Sequence, residues 1–217
     1  MTPYSPLPPT HLDIARRPTG AGPLPGTVVA LIAGAVMLVT RILAVYTQVY
    51  AQLGRPVSYV LVALPFVAVA VGAAVVALAP VRRLGALVVL AAAAAAIGFT
   101  EWEIHVIESN GPLGSTSLLR LIYWLSSTVP PILVVLGWGL ARRRGALWCL
   151  SLVVTAALAA GVKEVGDHAL RALAVHGLGT ARLVSIGITL LAIATVLAGT
   201  LVGWLLERAE RPSAKQL

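Results

Sequence analysis

Two glutamate–histidine pairs are the residues whose types and spacing could do chemistry. Glu101 with His105 and Glu164 with His168 are each four residues apart. That spacing sets both side chains of a pair on one face of a helix. A carboxylate and an imidazole from each of two helices can converge on Zn, Mn or Fe. Two histidines at one level can also ligate haem. Glu103 and Glu108 lie beside the first pair, and Lys163 and Asp167 beside the second. Five of the eight acidic residues therefore fall at two helix ends.

Against a metal centre, di-iron bundles use Glu-x-x-His with two further glutamates, and the spacing here is one residue longer. HExxH, paired-cysteine, G-x-S-x-G, Walker A and G-x-G-x-x-G patterns do not occur in the sequence. The expectation is no cofactor and no catalytic residues, with a metal- or haem-binding membrane enzyme as the third reading. The single cysteine, Cys149, excludes an intramolecular disulfide. Its position in an apolar run predicts a buried structural thiol.

The elements that position these residues follow from composition. Apolar residues make up 59% of the chain and charged residues 11%, against roughly 45–50% and 25% in soluble domains. One soluble core cannot hide that much apolar surface, so its solvent must be lipid. The net charge of +8 raises the question of nucleic acid, but the basic residues sit in short clusters between apolar runs. That pattern is the membrane-topology signal, and no nucleic-acid partner is expected. The fold class expected is all-α: a polytopic membrane protein whose partners are the bilayer and other membrane subunits.

Residues 1–26 contain seven of the fourteen prolines and read as an extended tail. Six apolar segments follow near 27–50, 57–79, 84–107, 117–140, 145–168 and 182–206, with a short charged tail at 207–217. Each has the roughly 20 residues needed to cross a hydrocarbon core of about 30 Å. No small-x-small cleavage pattern follows the first, which is expected to be a retained anchor. Ten basic residues fall on the side of Arg82, Arg83 and Arg142 to Arg144, and five on the other. This bias predicts a multi-pass protein of the cell membrane with both termini cytoplasmic.

Depth sorts the polar groups. Counted from Leu84 and Gly145, Glu101 and Glu164 lie about 26–29 Å along their helices, at the outer edge of the hydrocarbon. His105 and His168 fall one turn further out. Arg41, about 20 Å into the first segment, is still in hydrocarbon and can extend toward the two glutamates. The expected ion pair is Arg41 with Glu101 or Glu164, with Lys163 beside them and His105, His168 and Asp167 in support. The plain alternative is that the whole layer is the wet face of helix extensions.

Three further patterns bear on function. Val81 to Leu87 resembles Ala141 to Leu147, which suggests a duplicated hairpin. Pro65 and Pro130–Pro131 fall inside segments and predict kinks, with the hydroxyls of Ser126, Ser127 and Thr128 near the freed carbonyls. Small-residue stripes at Ala30/Gly34, Ala91 to Ala96 and Gly199/Gly203 suit close helix contacts, within the chain or with another subunit. The function expected first is a non-enzymatic accessory or scaffold subunit of an envelope membrane complex. The alternative is a small-solute or lipid transporter with a charged outer mouth.

Overall fold

The computed structural model describes residues 28, 31–32, 34–40, 42, 54–77, 79–110, 116–143, 146–173 and 178–210. Five long helices carry it: α1 (Gly54–Val75), α2 (Leu84–Asn110), α3 (Thr116–Arg142), α4 (Leu150–Leu173) and α5 (Leu178–Glu210). Residues 34–40, from the first apolar segment, are also helical, and no strand occurs among the described residues. All five long helices have the length and apolar composition to cross a membrane. Within each, only 22–28% of the most apolar window is buried inside the protein. Many of the remaining large apolar side chains are exposed, Val60, Val71, Leu87, Val153 and Leu201 among them, and lipid is the solvent that suits such a surface. The protein is an all-α polytopic membrane protein. Helices are required because a backbone inside hydrocarbon must satisfy its own N–H and C=O groups.

The helices run up and down with short connections. Pro80 opens a 3-10 turn (Pro80–Arg83) that runs straight into α2. Proline suits that first position because the N–H it lacks would have no partner there. A second 3-10 turn (Leu147–Cys149) leads into α4. Within it Trp148 is buried and Cys149 is exposed. The expectation of a buried thiol is therefore wrong: the tryptophan takes the inward position of the turn, and the next residue is left facing out. The two Arg-rich repeats also differ locally. Arg82 and Arg83 belong to a turn that precedes a helix, whereas Arg142 ends one.

α3 is the central element, touching α1, α2, α4 and α5. One core joins α1, α2 and α3 through Ala70, Ala73, Val89, Ala92, Val134, Trp138 and Ala141. In lipid, helix association depends on close packing rather than on escape from water, which explains the small side chains. At the α2–α3 crossing, backbone meets backbone at Gly85 and Gly137. A Cβ on Gly85 would sit 2.2 Å from the Gly137 carbonyl oxygen, and one on Gly137 would sit 2.4 Å from the Gly85 oxygen.

The small-residue stripes are used inside the bundle. A Cβ on Gly199 would meet Thr155 Oγ1 at 2.1 Å, and one on Gly203 would meet Ser151 Oγ at 3.1 Å. Gly34 faces Ile193 in the same way, at 3.1 Å. Ala92 and Ala93 are buried, while Ala91 and Ala94 face out.

Pro65 and Pro130–Pro131 lie within continuous helices. The carbonyls that lose a partner to Pro130 and Pro131 are those of Ser126 and Ser127, one turn back. The nearby hydroxyls do not serve them. Ser126 donates to the Tyr123 carbonyl at 3.0 Å, Ser127 to that of Trp124 at 2.9 Å, and Thr128 to that of Trp124 at 2.8 Å. A helical hydroxyl reaches backward along its own helix, so it bonds the preceding turn.

Substituting Gly137 by Ala should destabilise the bundle by about 1–3 kcal/mol or more, since the added carbon meets backbone that cannot yield. Gly161→Ala, where a Cβ meets nothing within 4 Å, should be neutral or slightly stabilising. Thermal unfolding in detergent compares them; equal melting temperatures would mean the α2–α3 crossing is not tight.

Candidate functional site

Polar side chains gather at both ends of the bundle, with different chemistry at each. At the acidic end, tyrosines tie the carboxylates down. Tyr59 on α1 donates to Glu101 on α2, and Tyr123 on α3 donates to Glu103 at 2.6 Å. Lys163 on α4 sits 5.3 Å from the centroid of the Tyr123 ring and forms an ion pair with Asp167 one turn along. Glu103, Tyr123, Lys163 and Asp167 thus form a continuous polar chain across three helices.

The residues singled out by sequence divide accordingly. Lys163 and Asp167 are paired with one another. Glu101 is joined to Tyr59, while Glu164, His105 and His168 are exposed. The His168 ring nitrogen Nδ1 lies 2.8 Å from the Glu164 carbonyl of its own helix. Because a carbonyl only accepts, Nδ1 is the donor in this contact. Arg41 lies outside the described residues, so its pairing with Glu101 or Glu164 does too. Among the described residues no three His, Cys, Asp or Glu side chains come together as a metal-ligand set. The two Glu–His pairs therefore do not converge: Glu101 turns to α1 and the histidines face outward.

The arginine end carries an ionic clasp between chain-distant helices. Arg143 Nη1 lies 3.4 Å from Glu207 Oε2, with both side chains largely out of contact with solvent. Arg143 Nη2 also donates to the Thr200 carbonyl at 3.0 Å. Arg142 reaches across to the Val76 carbonyl at 2.9 Å, and Arg82 donates to the Arg143 carbonyl. Glu210 accepts from the backbone N–H groups of Ala146 and Leu147 at 3.1–3.2 Å. Those groups open the turn into α4, where N–H groups lack partners within the helix and a carboxylate is favoured.

Sequence reasoning treated these arginines as topology markers and placed Glu207 and Glu210 in a tail. Instead α5 runs to Glu210 and Glu207 is 4% exposed. A signal was present: these are acids three apart on one helix face, at the end crowded with arginines.

Between the two polar ends lies a cavity of about 1290 Å³, bounded by the 34–40 stretch, α1, α3, α4 and α5. Tyr123, Lys163 and Asp167 line it at the acidic end, and Arg142 and Arg143 at the arginine end. Its middle is apolar, with Phe66, Val69, Val134, Ile193 and Val196, and is dotted with Ser126, Ser127, Thr189 and Thr195. Pro130 and Pro131 are in its wall, beside the two serines whose carbonyls they release. From Tyr123 to Arg142 along α3 is about 28 Å, nearly a full hydrocarbon thickness. Drug-sized pockets are about 300–1,000 Å³, so this space suits something larger and elongated.

Comparisons with protein families, curated proteins and solved structures gave no match.

Removing one partner of the clasp should cost about 3–5 kcal/mol, because the other charge stays buried and uncompensated. Glu207→Gln should therefore lower thermal stability strongly. Adding Arg143→Gln to it should recover part of the loss. A double variant no more stable than the sum of the singles would show that the two side chains do not interact.

Proposed function

We propose that this protein is a non-enzymatic, multi-pass protein of the bacterial cytoplasmic membrane that takes an elongated amphiphile into the space between its helices. It acts as a carrier or permease rather than as a scaffold. The observation that carries the reading is the cavity of about 1290 Å³, which joins a charged mouth at one end to an arginine pair at the other. A helix bundle in lipid closes on itself when packing is its only task. The space lies between helices whose two ends are tied by polar contacts.

The scaffold reading drew on small loops, small-residue faces and the lack of a catalytic motif. Of the small residues, Gly34, Gly199 and Gly203 face Ile193, Thr155 and Ser151 of the same chain, while Ala91 and Ala94 face out. Lys163 and its partner Asp167 line the polar mouth of the carrier reading, whereas Glu101 is held by Tyr59 away from the lining.

Orientation follows from the basic residues. The arginine end is cytoplasmic and the acidic end external. Cys149, the single cysteine and an exposed one at the arginine end, reports on this directly. A membrane-impermeant maleimide should leave it unmodified in sealed right-side-out vesicles and modify it after permeabilisation. Modification in the sealed vesicles would reverse the assignment.

The carrier reading is tested by extracting the protein in mild detergent and identifying what accompanies it by mass spectrometry. A retained amphiphile is expected. Ala192→Phe on α5 and Ser126→Phe on α3 fill the cavity from two walls. Each should lower the retained amount about tenfold, the factor that corresponds to 1.4 kcal/mol of binding, with folding followed separately by thermal unfolding. Equal retention in folded wild type and both variants would remove the cavity from the function. A stoichiometric second protein chain in place of the amphiphile would restore the scaffold reading.

A further inference from the structure

We infer that the occupant of this cavity is an anionic lipid. Its phosphate or carboxylate head seats beside Arg142 and Arg143, and its hydrocarbon chain lies along α3 toward Lys163. This rests on the carrier reading above and names the chemistry of its ligand.

Charge asymmetry between the two ends sets the direction. At the arginine end the described cations are Arg82, Arg83, Arg142, Arg143 and Arg208, against the carboxylates Glu207 and Glu210. Glu210 is committed to the backbone N–H groups that open the turn into α4, and Glu207 to Arg143. Arg142 and Arg143, the two guanidiniums that line the cavity there, share the single carboxylate of Glu207. It is bonded to Arg143 and acts on Arg142 as well, so the positive surplus at the cavity's arginine end is that of two cations against one shared anion. At the acidic end, Lys163 is already matched by Asp167, and the neighbouring Tyr123 is bonded to Glu103. A negative head is stabilised at the first end and meets no positive surplus among the cavity-lining residues of the second.

Depth and shape agree with that polarity. Arg142 closes the third of the apolar spans, so a head beside it sits at the boundary where charge is tolerated, while a chain above it stays within hydrocarbon. A guanidinium presents planar donors that match phosphate and carboxylate oxygens. Basic pockets between transmembrane helices on the cytoplasmic side are a general way of holding anionic lipid heads. The apolar middle of the cavity, walled by Phe66, Val69, Val134 and Val196, gives a water-soluble anion nothing to bury and gives a hydrocarbon chain a full-length track. A lipid, rather than a free anion, fits both halves.

The full-length protein in neutral detergent is titrated with phosphatidylglycerol and with phosphatidylcholine of identical chains, and binding is read by native mass spectrometry. Phosphatidylglycerol should bind about tenfold more tightly, equivalent to one charge-assisted hydrogen bond. Arg142→Gln should bring that ratio close to unity, and Arg142→Lys should keep most of it. Ala192→Phe should lower binding of both lipids. Inorganic phosphate at millimolar concentration should not compete; if it does, the site serves a free anion and the lipid assignment falls. Equal binding of the two lipids, with both lowered by Ala192→Phe, would keep the carrier reading and overturn the anionic head. Binding of neither lipid would overturn both. Should Arg142→Gln not fold, the wild-type preference is followed against salt. It should shrink as ionic strength rises, and a salt-independent preference contradicts the assignment.

Discussion

The contact between Arg143 and Glu207 is the constraint on which much of the bundle depends. A charge near the end of a membrane span is costly unless an opposite charge and hydrogen bonds accompany it. Here each supplies the other, at 3.4 Å, and the Thr200 carbonyl takes a further guanidinium donor. The pair fixes the last turns of α5 against the end of α3. That placement brings Glu210 within reach of the N–H groups that open the turn into α4. It also holds the backbone of Arg143 where Arg82 can donate to it. One ion pair thereby joins both connections on the arginine end with the terminal turns of α5.

The two ends solve the same problem differently. Arg142 and Arg82 bond the carbonyls of Val76 and Arg143, just past helix ends where intrahelical partners run out, while Arg143 bonds the Thr200 carbonyl inside α5. At the other end, phenol groups bridge helices by donating to carboxylates, and an ammonium group rests over a ring. Between them, glycine and alanine bring α2 and α3 into backbone contact at Gly85 and Gly137. Beside that contact the larger residues Phe66, Trp138 and Trp204 line open space, and Trp138 also belongs to the core shared with α1 and α2. The central helix α3 thus takes part both in tight packing and in the cavity wall.

The fold was largely legible in the sequence. Segments expected near 57–79, 84–107, 117–140, 145–168 and 182–206 match α1 to α5 within a few residues. The reason is that hydrocarbon thickness and backbone hydrogen bonding leave few alternatives to an apolar helix of about 20 residues. Lys163 and Asp167 were found by their charge in an apolar context, though their pairing with one another was not. The partners of Glu101 and Glu103 were missed because Tyr59 and Tyr123 read as ordinary apolar or interfacial residues, and which helix faces which is not encoded in spacing along one helix. Glu207 was missed for the opposite reason. It looked like the start of a polar tail; the spacing of Glu207 and Glu210 hinted that the helix continues, but nothing local in the sequence says that Arg143 lies across from it. The cavity had only an indirect signal, Pro130 and Pro131 following three hydroxyl residues.

The central claim is that the space along α3 is an occupied binding site with a negative group at its arginine end. An experimental structure of the protein in nanodiscs containing phosphatidylglycerol tests this most directly. Continuous elongated density is predicted, with its bulky end against Arg142 and Arg143 and its tail running toward Tyr123 and Lys163. A cavity closed by helices packed against one another, or one filled only by water, would contradict the account.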